Sequence, residues 1–248
     1  MGKVIILPDT TREPITKIGE MAGVCWGADT SDRETAAAGT SSVTPQSGAT
    51  PSPKGKAYRR GLDCIESGHG RTLEFVNVEM VLDGYSARVM REWYTHIGGA
   101  PTRLQASTRY IDYGEFEYVT PPSIAESPAA NALYAATMAV IADTMRRLEI
   151  DSFPREDAAM LLPLGMTTRV VDKRNLRNLI DMSRQRMCNR AYWEFRELFR
   201  DISCALADYS EEWAQIVNTQ FMPKCEALGY CPEKRGCGKY PKKGTTRE

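Results

Sequence analysis

The stretch SARVMREWYTHIGGAPTRLQASTRYIDY, residues 86–113, decides the fold of this chain. Ser86 is a residue type that caps a helix by accepting a hydrogen bond from a free backbone N–H, and three apolar residues then fall four apart on one face. These apolar residues are Val89, Trp93 and Ile97. The glycine pair at 98–99 is predicted to end the helix, because glycine adopts the left-handed conformation of a helix terminus without steric cost.

The segment after the glycine pair is predicted to be a loop that is dense in hydrogen-bonding side chains. These side chains are Thr102, Arg103, Gln105, Ser107, Thr108 and Arg109. Polar groups at this density are costly to bury without partners, so the loop suits an anionic small molecule that forms hydrogen bonds. A solvated surface loop is the alternative.

Composition limits the class of protein. The 248-residue chain is 42% hydrophobic, enough for a substantial core. Its formal net charge of zero argues against broad nucleic-acid binding and gives no sign of a membrane-surface protein. No stretch approaches the roughly 20 apolar residues of a membrane span, and the short apolar run at 4–7 is not a secretory signal. We therefore expect a cytoplasmic protein whose seven cysteines are reduced thiols.

The sequence divides into four segments. Residues 1–28 are predicted to form a short strand and a helix that begins at Pro14. Residues 29–55 are rich in Ser, Thr, Ala, Gly and Pro, and are predicted to form a flexible loop, with a lid that orders on ligand binding as the alternative. Residues 56–220 make up the main domain, and residues 221–248 form a basic tail that contains cysteines.

Hydrophobic periodicity predicts the elements of the main domain. The expected elements are a helix at 56–67, a strand at 72–82, a helix at about 129–149 and a further helix from about Asn175 toward Tyr209. The long helix at 129–149 carries an apolar stripe, so we assign it to the core. The stripe consists of Leu133, Ala136, Val140, Met145 and Leu148.

The stretch at 86–113 also resembles the signature of the flavin-dependent thymidylate synthases. Arg91-Glu92-Trp93 resembles the R-Q-W approach of that family, and residues 107–110 match its S-x-R-Y ending. Thr95-His96-Ile97 stands where the family has R-H-R, and two extra residues are needed around the glycine pair. Two arginines of the signature are therefore missing.

Two further segments resemble the family on either side of the long helix. Gly68-His69 and Glu74 match parts of a G-H-E-T-P-F-E-H type segment. Leu162-Pro163-Leu164 matches the end of an A-R-x-x-L-P-L motif, but Ala159 stands in place of its arginine. A third arginine of the family's site therefore has no equivalent.

A fourth segment resembles the family near the end of the main domain. Asn175, Arg177 and Leu179 match an N-x-R-x-L motif, and Arg186 stands seven residues before Trp193-Glu194, as an arginine of the family does. The resemblance runs from about residue 56 to residue 195. Four segments in the right order make a chance match a poor explanation.

The resemblance implies a single domain of the α+β class, with an antiparallel or mixed sheet and long helices, assembled as a homotetramer. It implies reductive methylation of dUMP at C5, with methylenetetrahydrofolate as the carbon donor, NADPH as the reductant and FAD as the bound cofactor. The implied partners are thus a pyrimidine deoxynucleotide monophosphate and a folate. No metal is implied.

The same motif match implies roles for individual residues. Arg186 would face the pyrimidine and stabilise negative charge that develops on it, and Ser107 would act beside it at the reacting nucleotide. The residues expected to bind the nucleotide are Arg91, Glu92, Arg103, Gln105, Ser107, Thr108, Arg109 and Arg186. The residues expected to bind the flavin are Thr95, His96, Ile97, Gln105, Asn175, Arg177 and Asp181.

Two alternatives remain open at this point. Arg103 is the candidate to replace one missing arginine. Glu92 stands where the family often has glutamine, and a carboxylate only accepts hydrogen bonds, which would favour a base with an amino group such as cytosine. One alternative is therefore flavin-dependent transfer of a methyl or hydroxymethyl group to C5 of dCMP or a related nucleotide. The other is a non-catalytic protein that binds nucleotide or flavin.

The tail carries Cys225, Cys231 and Cys237 at intervals of six among basic residues. Structural zinc takes four ligands, usually with one short C-x2-4-C pair, and the tail meets neither condition. Cys188 or Cys204 would have to supply a fourth ligand. A solvated basic tail is therefore the preferred interpretation.

Overall fold

The computed structural model describes residues 2–27 and 55–244, so the predicted loop at 29–55 lies outside the described residues except for Gly55. The strands are β1 (Lys3–Ile6), β2 (Asn77–Ser86), β3 (Thr102–Gln105) and β4 (Thr167–Asn175). They form one antiparallel sheet in the order β1-β2-β4-β3.

Helices make up most of the remaining described chain. They are α1 (Pro14–Gly23), α2 (Lys56–Glu66), α3 (Ala87–Trp93), α4 (Pro122–Ala125), α5 (Pro128–Ile150), α6 (Arg155–Ala158), α7 (Leu176–Arg186), α8 (Trp193–Tyr209), α9 (Glu211–Gln220) and α10 (Lys224–Leu228). Single 3-10 turns occur at Val24–Trp26, Thr72–Phe75 and Ala159–Leu161. Helices α1 and α2 pack on each other, and α8 packs on β1. This is the expected α+β architecture with an antiparallel sheet.

Strand β4 lies at the centre of the sheet, although its sequence did not predict it. Val170, Asp172 and Arg174 point into the core, whereas Val171 and Lys173 point to solvent. This is the period-2 alternation of a strand with one buried face. Two of the buried positions carry charge, so the buried and exposed residues of β4 do not alternate as apolar and polar residues. Hydropathy alone therefore does not reveal this strand.

A fully buried ion pair on β4 holds the centre of the core together. The Arg174 guanidinium donates to both carboxylate oxygens of Asp172, at 2.5 Å from Nε and 2.7 Å from Nη2, and neither side chain is exposed. Asn178 Oδ1 accepts from Arg174 Nη1 at 2.7 Å. Trp93 Nε1 donates to Asp172 Oδ2 at 2.9 Å, and the guanidinium lies 4.0 Å from the Trp93 ring centroid. The pair thereby connects β4 with α3 and α7.

The predicted cap of α3 is confirmed, but its predicted end is wrong. Ser86 Oγ accepts from the Val89 N–H at 3.1 Å, as expected of a helix cap. The helix ends at Trp93 rather than at the glycine pair, and His96 lies in the turns that follow. Gly99 has φ +73°, and an added Cβ would lie 2.2 Å from Asn175 Nδ2. The glycines are therefore needed for a close approach to the start of α7.

Three other predicted boundaries are also wrong. The helix expected from Asn175 toward Tyr209 is two helices, α7 and α8, because the intervening chain turns and its Asn189 and Ala191 carbonyls accept from Arg196 Nη1. The first residues of the strand expected at 72–82 form a 3-10 turn. Half of the polar loop is strand β3, because its backbone pairs with the otherwise open edge of β4.

The assignment of the long helix α5 to the core is wrong for most of its stripe. Leu133 and Val140 are 71% and 65% exposed. The residues of α5 that are buried are Met138 and Met145, so the helix contacts the remainder of the chain along a narrow line. Apolar periodicity shows that a face is apolar, but it does not show whether the same chain covers that face.

The buried ion pair gives a test of this description with a matched control on the same strand. Replacing Asp172 by alanine leaves Arg174 buried without its partner and should lower the free energy of unfolding by about 3–5 kcal/mol. Replacing the neighbouring Lys173 by alanine removes a partly exposed ion pair with Glu79 and should lower the free energy of unfolding by about 0–1 kcal/mol. Urea unfolding measures both, and equal losses would contradict the assigned burial.

Candidate active site

Arg186, the last residue of α7, is held by three neighbouring side chains. Its Nε donates to His96 Nε2 at 2.9 Å, and its Nη1 donates to Glu92 Oε2 at 3.0 Å. The guanidinium carbon lies 4.7 Å from the ring centroid of Phe195, a cation–π contact. Helices α3, α7 and α8 thus converge on one arginine, which the sequence predicted to lie together with Glu92 and His96.

His96 is held in its neutral form. Its Nε2 accepts the Arg186 hydrogen bond, so the ring proton is on Nδ1. Burial, together with the charges of Arg186 and Arg174, lowers the pKa of His96 from 6.5 to about 4. At neutral pH Arg186 therefore has an uncharged acceptor on one side and a carboxylate on the other. This arrangement stabilises the guanidinium in one orientation.

One donor group of Arg186 remains available to a ligand. The Arg186 side chain is 23% exposed, so it reaches solvent. Its Nη2 makes no hydrogen bond to the residues that the structure describes. A fixed cation with a free N–H at the surface can bind a phosphate or carboxylate, or stabilise negative charge on a heterocyclic oxygen.

Sequence analysis missed two residues that build this site. Phe195 supplies the aromatic face beneath Arg186 and packs edge-on against His96 at 5.9 Å between ring centroids. Glu194 is buried and accepts from the Ser86 backbone N–H at 2.7 Å and from Ser86 Oγ. It therefore fixes the start of α8 to the start of α3. The Trp193-Glu194 motif pointed to this place, but it did not indicate which side chains act.

Asn175 lies at the junction between β4 and α7. Its Oδ1 accepts from the Asn178 N–H at 2.9 Å and so caps α7. Its Nδ2 faces Gly99, in the turn that follows His96. Asn175 thus joins the turn to the helix that carries Arg186, which agrees with its predicted place in a common site.

The polar loop at 102–109 lies on the same side of the chain as the end of α3. Arg103 Nη1 donates to the Tyr94 carbonyl at 3.1 Å, and the guanidinium lies 4.6 Å from the Tyr94 ring centroid. Gln105 Nε2 donates to Thr168 Oγ1 at 3.3 Å. Thr108 is exposed, and Ser107 Oγ accepts from the backbone N–H two residues on. Arg103 is therefore held against Tyr94, the residue that follows α3.

Two predicted arginines are engaged in surface ion pairs. Arg109 pairs with Glu156 at 2.8 Å and Arg177 pairs with Glu74 at 2.6 Å, and all four side chains are at least one-third exposed. Such exposed pairs contribute about 0–1 kcal/mol, so an anionic ligand can replace the carboxylate at little cost.

The remaining predicted site residues are exposed. They are Arg91, Thr95, Ile97 and Asp181. Thr95 Oγ1 donates to the Glu92 carbonyl at 2.7 Å, within the turn after α3. Within the described ranges 2–27 and 55–244, no hydrogen bond or ion pair links these four side chains to Arg186. The chain by itself therefore gathers only part of the predicted set.

The fold and the site together define an α+β protein with a fixed, solvent-facing arginine suited to an anionic or polarised heterocyclic ligand. A family model described as thymidylate synthase complementing protein matches residues 7–208. No helix in the described part of the chain has the length and apolar character to cross a membrane. The chain belongs to the thymidylate synthase complementing protein family, as the signature at 86–113 predicted.

Curated relatives support this membership. The flavin-dependent thymidylate synthase of Nitratidesulfovibrio vulgaris is 33% identical over 187 residues, which cover 71% of this chain and 74% of that protein. The enzyme of the same name from Pyrococcus abyssi is 31% identical over 184 residues, 69% of this chain and 73% of that protein. The region matched by the family model, residues 7–208, includes all the elements that build the Arg186 site.

A solved structure shares the fold. Thymidylate synthase X from Helicobacter pylori, solved with FAD and dUMP, superposes with a TM-score of 0.58. The match covers 88% of this chain and 99% of that chain, at 16% identity. The predicted α+β fold of the family is therefore confirmed.

The neutral state of His96 gives a pH-dependent prediction. Because its pKa in the folded chain lies below 6.5, the unfolded chain binds the proton first. His96 should therefore lower the free energy of unfolding as pH falls from 6.5 toward 4, and should have no effect above that range. The chain has two histidines, so His69→Gln leaves one imidazole to titrate by NMR. A midpoint near 6.5 would contradict the assigned environment.

Proposed function

We propose that this chain is a flavin-dependent thymidylate synthase, which methylates dUMP reductively at C5. Methylenetetrahydrofolate supplies the carbon, NADPH supplies the reducing equivalents, and FAD is the bound cofactor. Membership of the family and the names of the curated relatives support this activity. The observation in this chain that carries the proposal is Arg186, held by Glu92 and His96, whose Nη2 makes no hydrogen bond to the described residues.

Arg186 is suited to stabilise a pyrimidine while C5 reacts. Before C5 can attack a carbon electrophile, the pyrimidine must become an enolate, in which negative charge is shared between C5 and the neighbouring ring carbonyl oxygen. A guanidinium already fixed in place stabilises that charge without a cost of reorganisation at the moment of reaction. His96 and Glu92 hold the guanidinium in place through hydrogen bonds, and the Phe195 ring packs against it.

The residues around Arg186 fit a nucleotide and a flavin. Bound FAD would pass hydride to the substrate and relay the carbon, which is chemistry that protein side chains do not supply. We assign the nucleotide phosphate to Arg109, whose exposed pair with Glu156 is replaceable, with Ser107, Thr108 and Gln105 beside the nucleotide. We assign the flavin to the surface formed by His96, the glycine turn, Asn175 and Arg177.

The position of Glu92 favours uracil over cytosine. Its Oε2 accepts from Arg186, so the carboxylate positions the arginine and is not simply a free acceptor for an amino group of the base. The arginine that meets the base is a donor, and uracil presents carbonyl acceptors where cytosine has one amino donor. dUMP is therefore the proposed substrate and dCMP the comparison.

We also propose that the active enzyme is a homotetramer in the cytoplasm. Large apolar side chains are exposed on α5 and beside the site, a pattern typical of surfaces that pair with another subunit. They include Ile97, Leu104, Tyr110, Leu133, Val140, Ile150 and Met160. A second copy of the chain would complete the binding site to which the exposed predicted residues belong. Sedimentation as a monomer during turnover would contradict this part of the proposal.

The activity is tested by anaerobic turnover of the FAD-loaded chain with methylenetetrahydrofolate and NADPH. dUMP and dCMP are offered separately, and the products are identified by mass. We expect a gain of one methyl group on dUMP alone. Methyl or hydroxymethyl gain on dCMP, or a colourless protein that takes up no FAD and turns over neither nucleotide, would overturn the proposal.

The role of Arg186 is tested by a conservative exchange. Arg186→Lys keeps the charge but removes the planar fork that bonds Glu92, His96 and the ligand at once. We expect kcat for dUMP to fall by about 100-fold or more, with a smaller change in KM. Arg184→Lys, on the exposed face of the same helix, is the control and should leave kcat within about twofold. Equal effects of the two exchanges would exclude the assigned role.

A further inference from the structure

Four of the seven cysteines line a single cavity at the end of α7. The cavity has a volume of about 540 Å³, and its cysteines are Cys188, Cys225, Cys231 and Cys237. Cys188 follows α7, Cys225 lies in α10, and the other two lie in the segment after α10. The structure thus brings to the three tail cysteines the fourth thiol that sequence spacing did not supply. Cys204, the other sequence candidate, is exposed on α8 and is not in the cavity.

Short contacts connect the segments that carry these four thiols. A Cβ added to Gly236, the neighbour of Cys237, would lie 3.0 Å from Cys231 Sγ. Cys237 Sγ accepts from Asn189 Nδ2 at 3.8 Å, next to Cys188 in the chain. All four are free thiols.

The tail segment 224–244 has no core of its own. None of its residues is buried, and its pairing with itself is one isolated bridge between Cys231 and Lys242. Arg190 pairs with Glu233 of the tail, and Lys239 pairs with Glu226 within the tail; both ion pairs are exposed and contribute little. A short segment without buried apolar residues needs a cross-link or a metal ion to hold a defined conformation.

We propose that Cys188, Cys225, Cys231 and Cys237 form a structural zinc site that fixes the tail to the end of α7. Four thiolates are a complete tetrahedral ligand set for Zn²⁺. Binding forms four Zn–S bonds and releases to solvent each proton still held by a thiol. The resulting site has a net charge of −2, which the lining side chains of Lys224, Arg184 and Arg190 offset.

Zinc binding requires the thiol side chains to move. No group of three His, Cys, Asp or Glu side chains in the described ranges is already placed to hold a metal ion. The loop that carries Cys231 and Cys237 is exposed and has glycines at 236 and 238, so the required rotations meet little resistance. The same cavity is lined by Arg186, so the zinc site would also fix the helix end that carries the candidate catalytic arginine.

The full chain, purified without chelators, tests the proposal by elemental analysis. We expect about one zinc ion per chain and no iron. Cys188→Ser is the most informative variant, because Cys188 lies 37 positions before the nearest tail cysteine. This variant should lose most of the zinc. Cys204→Ser should retain it. Circular dichroism and FAD content show whether each variant remains folded.

A second measurement on the unaltered chain needs no variant. Four thiols should be protected from a thiol reagent until a strong chelator is added, and Co²⁺ in place of zinc should give the charge-transfer and visible bands of tetrahedral thiolate coordination. Three results of the metal analysis would overturn the proposal: a wild-type chain without zinc, a Cys188→Ser variant that retains zinc, or iron bound instead of zinc. Thiols that become reactive after a reductant but not after a chelator would overturn it too. The last result would show disulfides.

Discussion

The buried pair of Arg174 with Asp172 is the interaction on which the arrangement of this molecule depends. A charged pair inside a core is stable only when each polar atom finds a partner, and here the partners come from three elements. Trp93 fixes α3 to the pair and Asn178 fixes α7 to it. Glu92 adjoins Trp93 in the chain, and Arg186 ends α7, the helix whose first turn contains Asn178. The core pair therefore sets the distance between the two sides of the site.

The charge of the core arginine also affects the candidate site. Burial, together with the charges of Arg186 and Arg174, disfavours a proton on His96, so the imidazole stays neutral and accepts from Arg186. Glu194 fixes α8 to the cap of α3, which places Phe195 beneath the guanidinium. An arginine supported in this way loses little entropy on binding a ligand. That is the physical basis for fixing it from several helices rather than from a loop.

The sequence predicted the parts of this structure that depend on local chemistry. The Ser86 cap, the start of α1 at Pro14 and the long helix α5 follow from capping and periodicity, and Glu92, His96 and Arg186 were expected together through the family signature. Sequence reasoning failed where tertiary contacts decide. The charged interior of β4 concealed a central strand, and the glycine pair serves a close approach to Asn175 rather than the end of a helix. Periodicity identified the apolar face of α5, but it does not show whether that face is covered, and Leu133 and Val140 are exposed.

The most direct test of the central claim is a crystal structure of the chain with FAD and dUMP bound. It shows which atom of the substrate Arg186 contacts. The account predicts a pyrimidine carbonyl oxygen within hydrogen-bond distance of the Arg186 guanidinium, with Glu92 and His96 still accepting from it. A guanidinium bound to the phosphate, or turned away from the nucleotide, would contradict the account.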